Sequence, residues 1–161
     1  MTGSSADKGL DNLDRRIINE MSESSQGSYR QIAKRLGIHP TTLIQRVKSL
    51  EERGIIKGYR ATLDLQKVGF EFMAMVHMDV EGDLIEVQSV IKGMPSVVAV
   101  YDVTGEWDSI TMLACNSRDE LSRAVKQLLQ VPGVKKTNTY MILNVIKDPF
   151  DFLPNLPVDE E

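Results

Sequence analysis

The scarcities of this chain narrow its class before any motif is read. Its 161 residues hold a single cysteine, Cys115. That excludes an internal disulfide framework and any multi-cysteine metal site. No run approaches the ~18 consecutive apolar residues that a membrane span requires. The opening "MTGSSADKG" lacks the apolar core of a signal peptide. A soluble, cytoplasmic protein with no membrane partner is expected. Catalytic signatures are missing too: there is no G-x-S-x-G, no P-loop and no H-E-x-x-H. The chain is therefore expected not to be an enzyme, and to carry no metal and no resident cofactor. Cys115 falls in a stretch that reads as strand, where buried packing is its expected role. His77 is a lone histidine on a strand face, expected in a core or an interface.

Positive charge is scarce overall, since the net charge is −4, but it is not scarce everywhere. Residues 28–60 hold Arg30, Lys34, Arg35, Arg46, Lys48, Arg53, Lys57 and Arg60 against Glu51 and Glu52, a balance of +6 that leaves −10 for the rest. A basic block on an acidic body suggests that one end meets phosphates and the other does not. Charge alone does not separate that from cations coating solvated helix faces.

Three short helices open the chain. "LDNLDRRIINEM" begins with Asp11 as N-cap and Asp14 three residues on, and Leu13, Ile17 and Met21 share one face. "SESSQG" breaks it. "SYRQIAKRL" is capped by Ser28 and ends before Gly37, with Ile32, Ala33 and Leu36 inward. In "GIHPTTLIQRVKSLEERG" Pro40 suits a first helical position, because the N–H it lacks would be unsatisfied there. The glycine turn between the second and third helices has helix-turn-helix spacing.

On a wheel of 100° per residue, Leu43, Val47 and Leu50 of the third helix form one stripe. Thr41, Thr42, Gln45, Lys48 and Ser49 lie roughly opposite, and Ile44 and Arg46 sit on the flanks. The outer face carries no acid before Glu51 and Glu52, which come near the end that points away from a groove entered N-terminus first. Segregation of this kind favours DNA contact over an ordinary solvated face. "IIKGYRATLDL" alternates around Gly58 as in a short hairpin, a wing whose Lys57 and Arg60 reach phosphates.

From residue 70 the pattern changes. "FEFMAMVHMDV" alternates as a strand, with Phe70, Phe72, Ala74, Val76, Met78 and Val80 on one face and Glu71, Met73, Met75, His77 and Asp79 on the other. A helix over 83–94, strands over 96–103 and 109–116, a helix over 118–130 and a strand over 133–146 follow. The order β-α-β-β-α-β is ferredoxin-like, with two helices on one face of a four-stranded sheet. "MPSV" and "VPGV" each stand between a helix and the next strand, a faint internal repeat. The uncovered face holds apolar residues such as Met73 and Met75, which a symmetric homodimer would cover. The fold class is thus α+β: an N-terminal winged helix-turn-helix domain plus a C-terminal ferredoxin-like βαββαβ domain. The division expected is 1–62 for DNA binding, 63–69 as linker, 70–147 for ligand sensing and oligomerisation, and 148–161 as an acidic, proline-containing tail. Phe150, Phe152 and Leu153 of that tail are candidates to dock on a neighbour.

These stretches resemble the Lrp/AsnC, or feast/famine, transcription regulators over about 10 to 147. The carriers are "LDNLDRRII", "YRQIAKRLGI", "TTLIQRVKSLEERGIIKGYRATLD", "TGEWD" and "VPGVKKTNTYMIL", in family order. The resemblance implies a double-stranded-DNA-binding regulator. It implies dimers that join as tetramers or octamers, with an amino-acid effector bound where dimers meet. Thr41, Thr42, Gln45, Arg46 and Ser49 match the family's reading helix; on the flank, Arg46 suits phosphate contact or a structural role ahead of base reading. Ser28, Tyr29, Arg30, Lys34, His39, Lys48, Lys57 and Arg60 complete the candidate DNA-binding set. Gly105 and Asp108 match a Gly-x-x-Asp turn where effectors bind; with Trp107, Thr137 and Thr139 they form the candidate effector set. Gly105 also fits plain turn geometry, and Asp108 a simple turn cap. Where relatives begin the reading helix with serine and an acid, this chain has His39 and Pro40.

Two alternatives stay open at the level of sequence. Sirohaem decarboxylases resemble the same two-domain layout and would use the C-terminal pocket for a tetrapyrrole, although the segregated cations argue against this. An architectural protein could wrap DNA with little sequence preference.

Overall fold

The structure, a computed structural model, describes residues 9–23, 27–148 and 151–159. Among them no helix is long and apolar enough to cross a membrane. The chain divides into two compact units, 1–62 with 147–161, and 63–146.

The first unit is built on α1 (Asn12–Glu23), α2 (Tyr29–Leu36) and α3 (Pro40–Glu52). Each start is fixed locally. The Asp11 carboxylate accepts the Asp14 N–H at 2.8 Å. Ser28 and Gln31 form a reciprocal capping box. His39 is the N-cap of α3, its Nδ1 accepting the Thr41 N–H at 3.3 Å, so the departure at "HP" still supplies a cap. Gly37 ends α2 at φ 69°, and the Ile38 N–H returns to the Ala33 carbonyl at 3.0 Å. Ile17, Ile32, Ala33, Leu36, Leu43, Val47 and Leu50 make one buried cluster. Burial of each large aliphatic side chain there contributes about 1.5–3 kcal/mol, which pins α3 by its inner stripe.

The segment expected to be a hairpin wing is not one. Residues 57–64 carry no strand pairing. The Ile55 and Ile56 N–H groups both turn back to the Leu50 carbonyl, closing the end of α3. Tyr59 and Leu63 stay exposed, so their alternation has no core to bury against. The Tyr59 hydroxyl donates to Glu51 Oε1 at 2.8 Å and ties the extended segment to α3.

The second unit contains β1 (Phe72–Val80), α4 (Leu84–Lys92), β2 (Val97–Asp102), β3 (Ser109–Cys115), α5 (Arg118–Gln130) and β4 (Val134–Met141). The sheet is antiparallel, in the order β2-β3-β1-β4. Asp83 caps α4 and Ser117 caps α5. Ala74, Val76 and Met78 face α4 and α5, packing with Val87, Ile91, Leu121 and Leu128. The faint repeat is geometric: the Val97 N–H bonds the Met94 carbonyl at 3.1 Å, and the Val134 N–H bonds the Val131 carbonyl at 3.0 Å. Gly133 takes φ 95°, and a Cβ there would meet Val87 Cγ2 at 2.7 Å and the Glu81 carbonyl oxygen at 2.9 Å.

Two strand ends differ from the expectation. β1 begins at Phe72, since Phe70 closes the preceding turn by donating to the Leu65 carbonyl at 2.9 Å. β4 stops at Met141; Leu143 and Val145 continue the alternation of the strand, yet they are exposed. Within the tail, residues 155–159 pack with the first unit: Leu156 and Asp159 bond side chains of α1. Phe152 and Leu153, the candidates to dock on a neighbour, are exposed in the single chain, whereas Pro154 and Leu156 are partly covered. Phe150 lies outside the described residues.

Candidate nucleic-acid interface and effector turn

The three buried residues of α3 leave Thr41, Gln45 and Lys48 exposed and Thr42 and Ser49 half-covered on its outer side. Glu52 pairs with Lys48 at 3.7 Å, one turn beyond the contact face. Arg30 and Lys34 of α2 are exposed, as are Lys57 and Arg60 in the extended segment. None of these four enters an ion pair among the described residues. Side chains held this way suit phosphates, because no internal acid competes for them. Ser28 is engaged in its capping box, and Tyr29 stands exposed at the start of α2. His39 Nδ1 lies 3.1 Å from Thr41 Oγ1 as well as capping the helix, so both are partly committed to starting α3.

Arg46 has a different environment. Its guanidinium donates to Asp11 and, at 3.1 Å, to Asp14. Arg53 donates to Asp14 at 3.4 Å and to the Gly9 carbonyl. Asp14 is only 3% exposed, so its carboxylate takes hydrogen bonds from these two partners in place of water. The Asp14 N–H, followed by the Arg46 guanidinium, holds the Asp11 carboxyl below its ordinary range, and Asp11 in turn raises Arg46. The arrangement ties α3 to α1 and turns the Arg46 guanidinium toward α1, with 38% of the side chain still exposed. Of its two foremost sequence roles, structural or phosphate contact, the geometry supplies the structural one. Sequence reasoning misses the bridging role of Asp14 and Arg53. The usable signal is the seven-residue step from Arg46 to Arg53, which puts two cations on one side of α3.

In the second unit Gly105 and Asp108 lie in the turn between β2 and β3. Gly105 has φ 132°, which disfavours any side chain there. Asp108 is tied into the sheet: its N–H donates to the Met78 carbonyl at 3.0 Å, and its carboxylate accepts the Val80 N–H at 2.8 Å. The second carboxylate oxygen accepts no hydrogen bond among the described residues. Thr137 and Thr139 pair with Met78 and Val76, so they share the helix-side face. Trp107 instead meets His77, at 6.0 Å between ring centroids, and lies under Lys136 Nζ at 5.0 Å. Tyr140 packs on His77 at 4.9 Å, on the uncovered face. The structure thus groups Trp107 with His77, Tyr140 and Lys136, and does not put it on the side of Thr137 and Thr139. His77 and Tyr140 alternate with residues of the opposite face, so their cluster is legible only once the partner strand is known.

A cleft of about 330 Å³, lined by Pro95, Ser96, Asn116, Glu120, Arg123, Ala124 and Gln127, opens at the other end of β2 and β3. It contains none of the candidate effector residues. Cys115, nearby, is buried, and that burial raises its thiol above the usual range.

Comparison with known proteins agrees with this layout. A winged helix-turn-helix DNA-binding model matches residues 10–57, and an Lrp/AsnC ligand binding domain model matches residues 72–151. An HTH-type transcriptional regulator of Pyrococcus furiosus is 40% identical over 146 residues, covering 90% of this chain and 99% of that protein. A transcriptional regulator of Neisseria meningitidis, solved as a complex with L-methionine, superposes with a TM-score of 0.79 at 24% identity, covering 92% and 96% of the two chains. A feast or famine regulatory protein of Mycobacterium tuberculosis, complexed with L-methionine, gives 0.82 at 23% identity, covering 91% and 100%. With a helix-turn-helix in its first unit, a βαββαβ second unit and a relative matched along nearly its full length, this chain belongs to the Lrp/AsnC family of transcriptional regulators.

Proposed function

We propose that the first unit reads DNA sequence through α3, and that the second unit assembles the protein and senses an amino acid. The observation that carries the reading is the outer face of α3. Thr41, Thr42, Gln45, Lys48 and Ser49 present hydroxyls, one amide and one cation, with no acid before Glu51. Short polar groups and an amide can reach base edges in a major groove. Arg30, Lys34, Lys57 and Arg60 then supply phosphate contacts that set the register.

A reading helix of this length covers one half-site, so a symmetric pair is needed for a longer operator. The uncovered sheet face, with Tyr101 and Tyr140 exposed beside Met75 and Met112, supplies an apolar surface for that pairing. Dimers joining further would bring the Gly105–Asp108 turns of different copies together. The second carboxylate oxygen of Asp108 suits an α-ammonium group, and the L-methionine bound by two structural relatives makes an amino acid the ligand class to test.

The test has two parts. Selection of bound sequences from random DNA should return a defined motif, and Gln45→Ala should change preference among sites by about 1–3 kcal/mol for each base that Gln45 reads. Equal binding of that variant at every site would remove the base-reading role. A thermal-shift screen of amino acids should find a stabilising ligand whose effect Asp108→Ala abolishes; a ligand that still stabilises the variant refutes that assignment.

A further inference from the structure

The outer side of α1 recognises backbone. Asn12, Arg15 and Asn19 stand at i, i+3 and i+7, on one stripe of the helix. Asn19 Oδ1 accepts the Leu156 N–H at 2.8 Å, while its Nδ2 donates to the Leu156 carbonyl at 3.0 Å. Asn12 repeats the pattern on Asp159: Oδ1 accepts the N–H and Nδ2 donates to the carbonyl, both at 3.1 Å. Each carboxamide therefore pairs with both main-chain groups of one residue, as a neighbouring strand would. Between them, Arg15 Nη1 donates to the Pro157 carbonyl at 3.1 Å. A guanidinium has only donors, and the proline backbone has only an acceptor, so the central contact matches as well.

The two spacings agree. Seven residues of helix advance about 10.5 Å. Three residues of extended chain, from Leu156 to Asp159, span about 10 Å. Pro154 and Pro157 restrict the segment before it docks, which lowers the entropy lost on docking. Little apolar surface is covered, since Leu156 is only partly buried and Val158 is exposed. A contact held by main-chain hydrogen bonds at the surface is releasable.

We infer that the Asn12–Arg15–Asn19 face of α1 is a docking site for an extended, proline-containing peptide, and that its occupant is residues 155–159 of the same chain. The docked segment continues from β4 through residues 142–154. It therefore gives the first unit a second covalent tether to the second unit, besides the connection that precedes β1. In a homo-oligomer, a second tether reduces the arrangements open to the reading helices and raises the effective concentration of one helix at the second half-site. This consequence rests on the DNA-reading function proposed above; the docking itself does not.

The experiment uses the full chain with Ser22→Cys and Asn155→Cys, joined by a short bismaleimide, the buried Cys115 being left in place. Docking within one chain predicts rapid crosslinking at monomer mass on a denaturing gel, abolished when Asn12 and Asn19 are both replaced by alanine. A crosslink joining two chains overturns the assigned occupant, and a crosslink indifferent to the asparagines, or none, overturns the site. In parallel, removal of residues 153–161 should weaken binding to a two-half-site DNA about tenfold while leaving a single half-site unchanged. No weakening, or the same weakening on both DNAs, overturns the tether. If the intact chain binds no DNA, the function proposed above falls, while the crosslink still decides the docking.

Discussion

Replacing Arg46 with methionine separates the two roles that its place on the reading helix allows. Methionine keeps the stem and removes the guanidinium. Asp14 then loses the donor at 3.1 Å and keeps Arg53 at 3.4 Å. Removing one partner from a fully buried ion pair costs about 3–5 kcal/mol. Here the Asp14 side chain is 4% exposed and Arg46 is 38% exposed, so solvent screens one side of the pair. The remaining bond to Arg53 lowers the cost further, to about 2 kcal/mol. For a unit of this size that corresponds to roughly 8–16 °C in Tm. Circular dichroism melts measure the destabilisation, and DNA affinity against salt concentration measures phosphate contact. The expected result is a lower Tm with an unchanged salt slope. An unchanged Tm with a slope reduced by about 0.9 would make Arg46 a phosphate contact and refute the structural assignment. Arg46→Lys should also lose stability, because both carboxylates are met by Nη1, which lies one bond further from Cα than a lysine ammonium reaches.

Further outcomes can be checked on the same protein. Lys57→Ala should weaken binding to all DNA sequences alike and reduce the salt slope by about one unit; weakening confined to one sequence would give Lys57 a base contact. Gly133→Ala should lower the urea midpoint by an amount equivalent to about 1–3 kcal/mol, since it combines positive φ with a Cβ too close to the Glu81 carbonyl; an unchanged midpoint would show that this turn relaxes freely. The Asp11 carboxyl is held below its ordinary value of 3.8, chiefly by the Asp14 N–H. A depressed carboxylate stabilises the fold above its unfolded pKa, and that stability is lost as pH falls through the folded value. Asp11→Asn should therefore be less stable at neutral pH and show a shallower acid limb below about pH 3.8, the exposure of Asp11 keeping the difference small. Acid limbs that coincide for the two proteins would remove the linkage.

What can be read directly from the chain is local. The caps at Ser28, Asp83 and Ser117 act within a few residues, so the letters that specify them are adjacent. The inner stripe of α3 and the helix-side face of β1 follow from periods of 3.6 and 2, and both hold in the structure. Asp14 is less legible. Three residues after a capping aspartate it reads as a cap partner, yet its carboxylate meets guanidiniums 32 and 39 residues away. The wing fails for a related reason: alternation predicts a strand only where something covers one face, and Tyr59 and Leu63 have no cover. The same holds for residues 142–146 after β4.

Sequence by itself determined the five helices and four strands of the described residues, their order and the chemistry of the outer face of α3, because periodicity, caps and charge segregation all act through near neighbours. Tertiary structure alone decided that Arg46 points at Asp11 and Asp14, that Trp107 joins His77 and Tyr140 on the uncovered face, and that the tail's backbone meets two asparagines of the first helix. Those contacts join residues far apart in the chain. Their partners are selected by how the elements pack, and no local pattern encodes them.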